Sequence, residues 1–319
     1  MIGFDIGGTK CSVSVGRNGK YGLVIENKYV IPTNHTVSPY RIIDTLCEAA
    51  EKMTDDFSKI GISCGGPLDS KRGVILSPPN LPGWNEVKIV DYLKDKYGGS
   101  AALQNDANAC AVAEWKYGAG KGCDNMIFLT FGSGLGAGLI LNGELYTGAN
   151  DMAGEVGHIR LNGFGPVGYG KSGSFEGFCS GGGIKQLAQS FALEKLQSGE
   201  SVSYCNSILE LEQIDAKKVA ESANAGNKDA QAVFSICGEM LGKGLSVLVD
   251  ILNPEKIVIG SIYQRCEHLL SESMQRVMAK ECLLSSYNAC KVVPAALGDN
   301  IGDYAALAVA MINGKETKQ

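Results

Sequence analysis

Hydrophobic and polar residues alternate along the first thirty positions of the chain, and this period of two predicts strands. Residues 11–15 alternate strictly between apolar and serine side chains, and residues 17–20 read Arg-Asn-Gly-Lys, which is typical of a hairpin turn. We therefore predict a β-hairpin here, with strands at 1–6, 10–16 and 22–31.

After Pro39 the apolar positions take a helical period, and short apolar strands then alternate with helices. The pattern predicts a helix after Pro39, a strand at 60–64, a helix near 87–97, a strand at 101–104 and a helix that starts after Asn105-Asp106. This order indicates a mainly parallel inner sheet with helices on its faces.

From residue 125 the plan of the first twenty residues recurs as a strand at 126–131, a glycine-rich turn, a strand at 137–141 and an Asn-Gly turn. This weak internal duplication predicts two similar lobes that each contain a sheet. The remaining pattern predicts helices near 183–197, 204–213, 216–225, 228–252, 264–280 and 301–312, and strands at 256–259 and 291–293.

Composition and charge narrow the possible partners and location. The net charge of −5 lacks the basic footprint of nucleic-acid binding proteins. No apolar window reaches the length of a membrane-spanning helix, and the first residues carry no signal-peptide features. The eleven cysteines never form a C-x-x-C pair, which favours reduced, mostly buried thiols over a disulfide or metal framework. We expect a cytoplasmic protein with no nucleic-acid or membrane partner.

Two glycine-rich turns are candidate phosphate sites. Asp5-Ile6-Gly7-Gly8-Thr9-Lys10 has two glycines that let backbone N–H groups approach an anion, and a plain hairpin turn with a surface lysine explains the same residues equally well. The turn 132–136 reads Gly-Ser-Gly-Leu-Gly, but Ala137 stands where a dinucleotide-binding motif has its third glycine, and a strand rather than a helix follows. Two such turns suit a nucleotide held by two lobes.

Carboxylates at two further places are candidates for acid–base or sugar-binding roles. Asp106 follows a buried strand and starts a helix, where spacing alone favours helix capping over catalysis. Glu155, His158 and Glu176 lie in or near a glycine-rich stretch and suit the hydroxyls of a sugar. For His158, a zinc ligand, an acid or base, and a structural hydrogen bonder all stay open, and the structural role is favoured.

Six ordered motifs together closely resemble the ROK family (repressors, open reading frames and kinases) of the sugar kinase, Hsp70 and actin superfamily. The motifs are Asp5–Lys10, Gly65-Gly66-Pro67 with Pro79–Trp84, Asn105–Asn108, Gly132–Gly134, Gly154–His158 and Leu297–Asn300. The resemblance implies an α/β, two-lobed, actin-like ATPase (ribonuclease H-like) fold with a central cleft where catalysis occurs. The lobes would be 1–112 with 300–319, and 113–299.

The resemblance also implies the activity and the site residues. The chain would be an ATP- and Mg²⁺-dependent kinase of the hexokinase type, most simply a glucokinase acting on the 6-hydroxyl, with Asp106 as catalytic base. The sugar would be held by Gly66, Asn80, Asn105, Glu155, His158 and Glu176. The ATP and its metal ion would be held by Asp5, Gly7, Gly8, Thr9, Lys10, Gly132, Ser133, Gly134, Gly260 and Ser261. Family members are often homodimers, and we expect one here.

The sequence departs from the family in one loop, where kinases carry three zinc-binding cysteines. Val167, Tyr169 and Ser174 occupy those positions, and valine has no donor atom, so we expect no zinc site and a loop held by packing or hydrogen bonds. Kinases for fructose, allose, N-acetylmannosamine, N-acetylglucosamine or a β-glucoside stay open, because this loop borders the sugar. A non-catalytic sugar sensor is disfavoured by the intact turns. A repressor is disfavoured because the first hairpin begins at residue 2.

Overall fold

The computed structural model describes residues 1–20 and 22–312 and divides into two compact units. Of the described residues, unit 1 comprises those within Met1–Asp124, Gly138–Ala153 and 296–312, and unit 2 comprises Asn125–Ala137 and Gly154–Ala295. Residues 313–319, which the sequence assigned to the first lobe, lie outside the described residues.

Strands and helices alternate much as the hydrophobic pattern predicts. The strands are β1 Ile2–Ile6, β2 Lys10–Gly19, β3 Gly22–Pro32, β4 Lys59–Cys64, β5 Leu68–Asp69, β6 Val74–Ile75, β7 Ser100–Asn105, β8 Met126–Phe131, β9 Leu135–Leu141, β10 Glu144–Tyr146, β11 Val167–Gly168, β12 Lys171–Ser172, β13 Lys256–Ile259 and β14 Lys291–Pro294. The α-helices are α1 Pro39–Glu51, α2 Ile89–Tyr97, α3 Asp106–Tyr117, α4 Phe175–Phe178, α5 Gly181–Gln197, α6 Ala216–Asn224, α7 Lys228–Leu252, α8 Ile262–Glu281, α9 Leu284–Ala289 and α10 Ile301–Ile312.

Unit 1 is built on a five-stranded sheet in the order β3-β2-β1-β4-β7. Strands β1, β2 and β3 form an antiparallel β-meander, whereas β4 runs parallel to both β1 and β7. Ile6 pairs with Cys64, and Cys64 pairs with Asn105, so three strands end in register at one edge of the sheet. Ligands bind at such carboxyl-terminal edges in open α/β sheets.

Helix α10 packs so closely on this sheet that the strands below it need glycine. A Cβ atom on Gly61 of β4 would lie 2.0 Å from the Ala306 carbonyl oxygen and 2.4 Å from the Ala310 nitrogen. The facing residues of α10 are mainly small, and Ala305, Ala306 and Ala310 are buried. The close contact therefore joins backbone to backbone, with no flexible side chain that can move aside.

We expect Gly61→Ala to destabilise the protein by about 1–3 kcal/mol, because the added methyl group forces strand and helix apart. Chemical denaturation of the two proteins measures this difference. Gly163→Ala is the control: a Cβ there meets no atom within 4 Å, so its stability should match that of the natural protein. An unfolding midpoint for Gly61→Ala equal to that of the control would contradict the close packing.

A second five-stranded sheet has the order β10-β9-β8-β13-β14. Strands β8, β13 and β14 and the first residues of β9 belong to unit 2, whereas the rest of β9 and all of β10 belong to unit 1. Strand β13 is parallel to β8 and to β14. The two five-stranded sheets share the order of an antiparallel β-meander edge followed by parallel strands, which confirms the predicted duplication of plan.

The helix predicted at 228–252 is confirmed as α7, but the statement that no apolar stretch is long enough to span a membrane is wrong. Helix α7 has 25 residues and is long and apolar enough to cross a membrane by length and composition, although no such segment was expected. Its apolar residues have another explanation. In its apolar 18-residue stretch, 61% of the residues are buried, and α7 packs closely on α8. A Cβ on Gly242 would lie 2.5 Å from the Met274 carbonyl oxygen. The helix is therefore a core element of unit 2.

The prediction of an α-helix at 204–213 is wrong, because Ile208–Gln213 forms a short 3₁₀ segment instead. None of its residues is buried, and Leu209 is 88% exposed. Because most helices in proteins depend on burying one apolar face, this segment lacks the packing that would sustain an α-helix.

The cysteines are mostly buried, as their scattered spacing predicts. Ten of the eleven are buried, and Cys290 is half-buried. Burial raises the pKa of several of these thiols, and the pKa values of Cys64 and Cys110 are raised well above the ordinary value.

Candidate active site

The first glycine-rich turn, residues 7–9, joins β1 to β2 at the carboxyl edge of the unit 1 sheet. The Gly7 N–H donates to the Lys10 carbonyl (3.1 Å), and the Thr33 hydroxyl donates to the Gly7 carbonyl (2.6 Å). A Cβ on Gly8 would lie 2.5 Å from the carbonyl oxygen of Asn80. The structure thus brings Asn80 against this turn, a contact that no local sequence pattern indicates.

Asp106 stands at the same edge, where β7 ends and α3 begins. The N-cap is Asn105, whose Oδ1 accepts the Ala107 N–H (3.0 Å), and Asp106 Oδ1 accepts the same N–H (2.8 Å). The Asp106 Oδ2 faces Gly65, where a Cβ would lie 4.0 Å away. Helix capping therefore falls mainly to Asn105, and one oxygen of Asp106 remains directed away from the helix.

The capping role also orients the amide of Asn105. Its oxygen is used by the helix, and its Nδ2 points to Gly66, where a Cβ would lie 3.3 Å from that nitrogen. Asn105 can therefore present N–H donors near Gly66. A side chain on Gly66 would crowd that amide.

The Asp106 carboxylate is open to solvent on one side and enclosed by protein on the others. This enclosure removes part of its hydration and raises its pKa above the ordinary value of 3.8, while hydrogen bonds from the N–H groups of Ala107 and Asp106 lower it. A carboxylate with a raised pKa is a stronger base than an ordinary aspartate. This property suits proton abstraction.

Negative charge is concentrated around Asp5. Burial first, and then the charges of Asp303 and Asp106, raise the pKa of Asp5 to about 6, while Lys10 and Lys28 lower it. A cation beside Asp5 would offset this repulsion. Because Mg²⁺ is commonly held by one or two carboxylates together with substrate phosphates, Asp5 beside the first turn fits such an ion.

Asp303 was not among the predicted site residues, yet its charge acts on Asp5. It is 2% exposed and accepts the Ser14 hydroxyl (2.8 Å), the Ser12 hydroxyl (3.3 Å) and the Lys28 ammonium group. The adjacent Gly302 touches Asp5, because a Cβ there would lie 2.7 Å from Asp5 Oδ2. Gly302 itself, two residues after Asn300, is a sequence feature that could have indicated this contact.

The second glycine-rich turn, residues 132–134, joins β8 to β9 in unit 2. The Gly132 N–H donates to the Gly134 carbonyl (3.0 Å), and the Gly132 carbonyl accepts the Gly181 N–H (2.8 Å) at the start of α5. Ser261 lies near the same turn, with its hydroxyl 3.7 Å from a Cβ on Gly132. The structure thus brings together the turn, Ser261 and the amino end of α5. The glycine cluster 181–183 was the sequence signal for this last element.

Gly260 and Ser261 follow β13, as predicted. The Gly260 N–H donates to the Leu129 carbonyl (3.0 Å), and the Ser261 N–H donates to Gln264 Oε1 (3.0 Å). Ser261 has a φ of 60°, a conformation that few non-glycine residues adopt. This sharp bend ends β13 beside the second turn.

The motif Gly154–His158 forms a tight bend whose shape depends on its first glycine. Gly154 has a φ of 93°, and a Cβ there would lie 2.1 Å from the Ala137 carbonyl oxygen. Glu155 and His158 are both exposed, and the His158 ring meets the Tyr169 ring edge-on at 6.2 Å. Both side chains are accessible to a solute.

Glu176 contacts the second turn directly. Its Oε2 accepts the Leu135 N–H (3.0 Å), and a Cβ on Gly134 would lie 2.7 Å from that oxygen. A predicted sugar ligand therefore lies against a predicted phosphate turn within one unit. The sequence placed these residues in separate motifs and did not indicate the contact.

The loop with Val167, Tyr169 and Ser174 is held by hydrogen bonds. Gln186 of α5 donates to the Val167 carbonyl (2.9 Å) and accepts its N–H (2.8 Å), and buried Ser174 caps α4 by accepting the Gly177 N–H (3.0 Å). Lys171 donates to the His158 carbonyl (2.7 Å). Within residues 1–20 and 22–312, no three His, Cys, Asp or Glu side chains are grouped to hold a metal ion.

Two sheets that each contain a β-hairpin with a glycine-rich turn, and an aspartate at the edge of the first sheet, are features of the actin-like ATPase fold. The family model described as the ROK family matches residues 1–312, and the chain belongs to this family. The fold is that of ROK kinases.

The similarity to individual proteins extends along the whole chain. A glucokinase from Thermotoga maritima is 27% identical over 308 residues, which cover 95% of this chain and 94% of that protein. A crystal structure of a ROK family glucokinase from Streptomyces griseus, in complex with glucose and AMPPNP, is 27% identical and has a TM-score of 0.75 over 98% of each chain.

The chain is also similar to regulators. A putative xylose repressor from a Caldicellulosiruptor species is 28% identical over 263 residues, which cover 82% of this chain and 64% of that protein. Family membership alone therefore leaves enzyme and regulator as alternatives.

Proposed function

We propose that this protein is an ATP-dependent kinase that phosphorylates a hydroxyl group of a hexose-type sugar. The observation that carries the proposal is the position of Asp106, whose carboxylate stands with a raised pKa at the same sheet edge as the first glycine-rich turn. A regulator needs neither a base nor this arrangement of phosphate donors. The similarity to glucokinases supports the same conclusion.

In the proposed reaction, Asp106 accepts the proton of the attacking sugar hydroxyl at Oδ2. Asn105 donates from Nδ2, and Gly66 leaves room for the sugar beside it. The other groups proposed to hold the sugar are Asn80, Glu155, His158 and Glu176. Phosphoryl transfer depends mainly on positioning and charge neutralisation, so these contacts supply most of the catalysis.

The nucleotide would be held by backbone N–H groups and hydroxyls of both turns. Gly7, Gly8, Thr9 and Lys10 would hold phosphate oxygens, as would Gly132, Ser133 and Gly134, and Gly260 with Ser261 would lie by the adenosine. Mg²⁺ beside Asp5 would neutralise phosphate charge. The exposed Thr9 and Lys10 side chains are available for these contacts.

Glucose and its 6-hydroxyl are our first choice of substrate, with fructose, allose, N-acetylhexosamines and β-glucosides as alternatives. Release of ADP should be measured for the purified protein with ATP, Mg²⁺ and each of these sugars. We expect one sugar to stimulate ADP release well above the sugar-free rate. Sugar binding with no ADP release for any panel member would indicate a sensor, and retention of specific DNA would indicate a repressor. We also propose that the protein is a homodimer, which light scattering can test, and that it is cytoplasmic.

The raised pKa of Asp106 predicts the acid side of the pH profile. The base must be deprotonated, so kcat/KM should be constant above the raised pKa and should fall as the pH drops through it. This fall should occur at a higher pH than the pH at which an ordinary aspartate becomes protonated. Steady-state kinetics at several Mg²⁺ concentrations measures this. Asp5 also has a raised pKa, but a limb set by Asp5 would move with Mg²⁺ concentration. A midpoint that moves in this way would contradict the assignment to Asp106.

A further inference from the structure

Glu176 stands where a phosphate group would be expected to approach the second turn. Its Oε2 accepts a hydrogen bond from the Leu135 N–H at 3.0 Å. The same oxygen lies so close to Gly134 that a Cβ there would be 2.7 Å away. The side chain is half-buried and the contact lies wholly within unit 2. This geometry places a negative charge directly against residues 134 and 135.

A carboxylate in this position opposes phosphate binding in two ways. It repels an anion a few ångströms away, and this repulsion is strengthened where protein excludes water. It also accepts the hydrogen bond of an N–H group beside the turn, and backbone N–H groups are the donors with which such turns bind phosphates. With Glu176 in this position, the turn is a poorer phosphate site than its glycine content indicates.

A sugar hydroxyl that donates to Glu176 would weaken both effects. A carboxylate oxygen that accepts a hydrogen bond from a hydroxyl repels an anion at the turn less strongly. A carboxylate that rotates toward the sugar also releases the Leu135 N–H. We propose that Glu176 couples the two ligands, so that sugar binding converts the second turn into a better phosphate site. This inference rests on the proposed function, because it takes Glu176 as a sugar ligand.

The coupling has a consequence for ATP use. A kinase that binds the phosphates of ATP well only after the sugar is bound hydrolyses little ATP when sugar is absent. The coupling must also be reciprocal, so the nucleotide must raise the affinity for sugar by the same factor.

The test is a set of calorimetric titrations with the non-hydrolysable analogue AMPPNP and Mg²⁺, without sugar and at saturating sugar. The sugar is whichever of glucose, fructose, N-acetylglucosamine or N-acetylmannosamine binds most tightly. We expect sugar to tighten AMPPNP binding at least about fivefold in the natural protein, in the usual range for coupled sites. In Glu176→Ala we expect less than about a twofold change, because the sugar-free protein already binds AMPPNP more tightly.

Two further variants separate the causes. Glu176→Gln removes the charge and keeps an acceptor for the Leu135 N–H, so its coupling should fall between those of the natural protein and Glu176→Ala. His158→Gln is the matched control, since His158 is a proposed sugar ligand whose ring faces Tyr169. It should bind sugar more weakly, yet at saturating sugar it should show the coupling of the natural protein.

A direct readout is the amide resonance of Leu135 in protein labelled with ¹⁵N-leucine. Sugar alone should move this resonance in the natural protein and leave it nearly unchanged in Glu176→Ala. The inference is overturned by an unmoved resonance in the natural protein, by coupling that survives in Glu176→Ala, or by AMPPNP affinity that is the same with and without every sugar. These measurements need no turnover, so coupling without ADP release would reject the kinase proposal alone.

Discussion

Asp106→Asn is expected to lower kcat by about 10²- to 10⁴-fold, the range typical of losing a positioned base. Asparagine has nearly the same shape and keeps an oxygen for the Ala107 N–H, which Asp106 Oδ1 accepts at 2.8 Å. It cannot accept a proton from a sugar hydroxyl. The loss should therefore appear in kcat, measured by coupled ADP release at saturating sugar and ATP.

The controls for this variant are its melting temperature and its affinity for sugar. Both should be close to those of the natural protein, because Asn105 rather than Asp106 is the N-cap of α3. Turnover that survives in Asp106→Asn would mean that another group accepts the proton. A large loss of stability would mean that Asp106 serves the helix after all.

Glu114→Ala is expected to cost about 2–4 kcal/mol of stability, because it leaves three part-buried backbone donors without their acceptor and a cavity where a fully buried side chain stood. Glu114 is fully buried near the end of α3. Its Oε1 accepts the N–H groups of Ala296 and Leu297 (2.9 and 2.8 Å), and its Oε2 accepts the Ala119 N–H (2.7 Å). Ala296 is the first residue of the chain after its return to unit 1. The carboxylate thus fixes this segment to α3.

Urea denaturation of Glu114→Ala and Glu114→Gln, followed by circular dichroism, measures the effect. Glutamine keeps one acceptor oxygen and most of the volume, so its loss of stability should be smaller than that of alanine. A loss below about 1 kcal/mol in Glu114→Ala would show that water or a shifted backbone satisfies the donors equally well.

Much of the fold follows from local patterns in the sequence. Strict alternation located the hairpin of β1 and β2, and helical spacing after Pro39 located α1. These predictions succeed because side-chain period and turn chemistry act over a few residues. The repeated strand–glycine turn–strand plan also indicated the second sheet.

Predictions from the sequence were wrong, or could not be made, where the structure depends on contacts between residues that are far apart in the chain. Helix α7 looks like a core helix only once its packing on α8 is known. Likewise, the contacts of Glu176 with Leu135 and of Asp303 with Ser14 join residues 41 and 289 positions apart. No periodicity encodes such pairs. Val167, from which we expect no zinc site, likewise gave no hint that Gln186 of α5 would hold that loop.

The most direct test of the central claim is to identify the product of the reaction. The protein, ATP and Mg²⁺ should be incubated with the sugar that most stimulates ADP release, and the sugar analysed by mass spectrometry and ³¹P NMR. We predict one sugar phosphomonoester for each ADP formed, with no such product from Asp106→Asn in the same time. ADP accompanied only by inorganic phosphate, or an unmodified sugar after full ATP consumption, would contradict the proposal that this ROK protein is a sugar kinase.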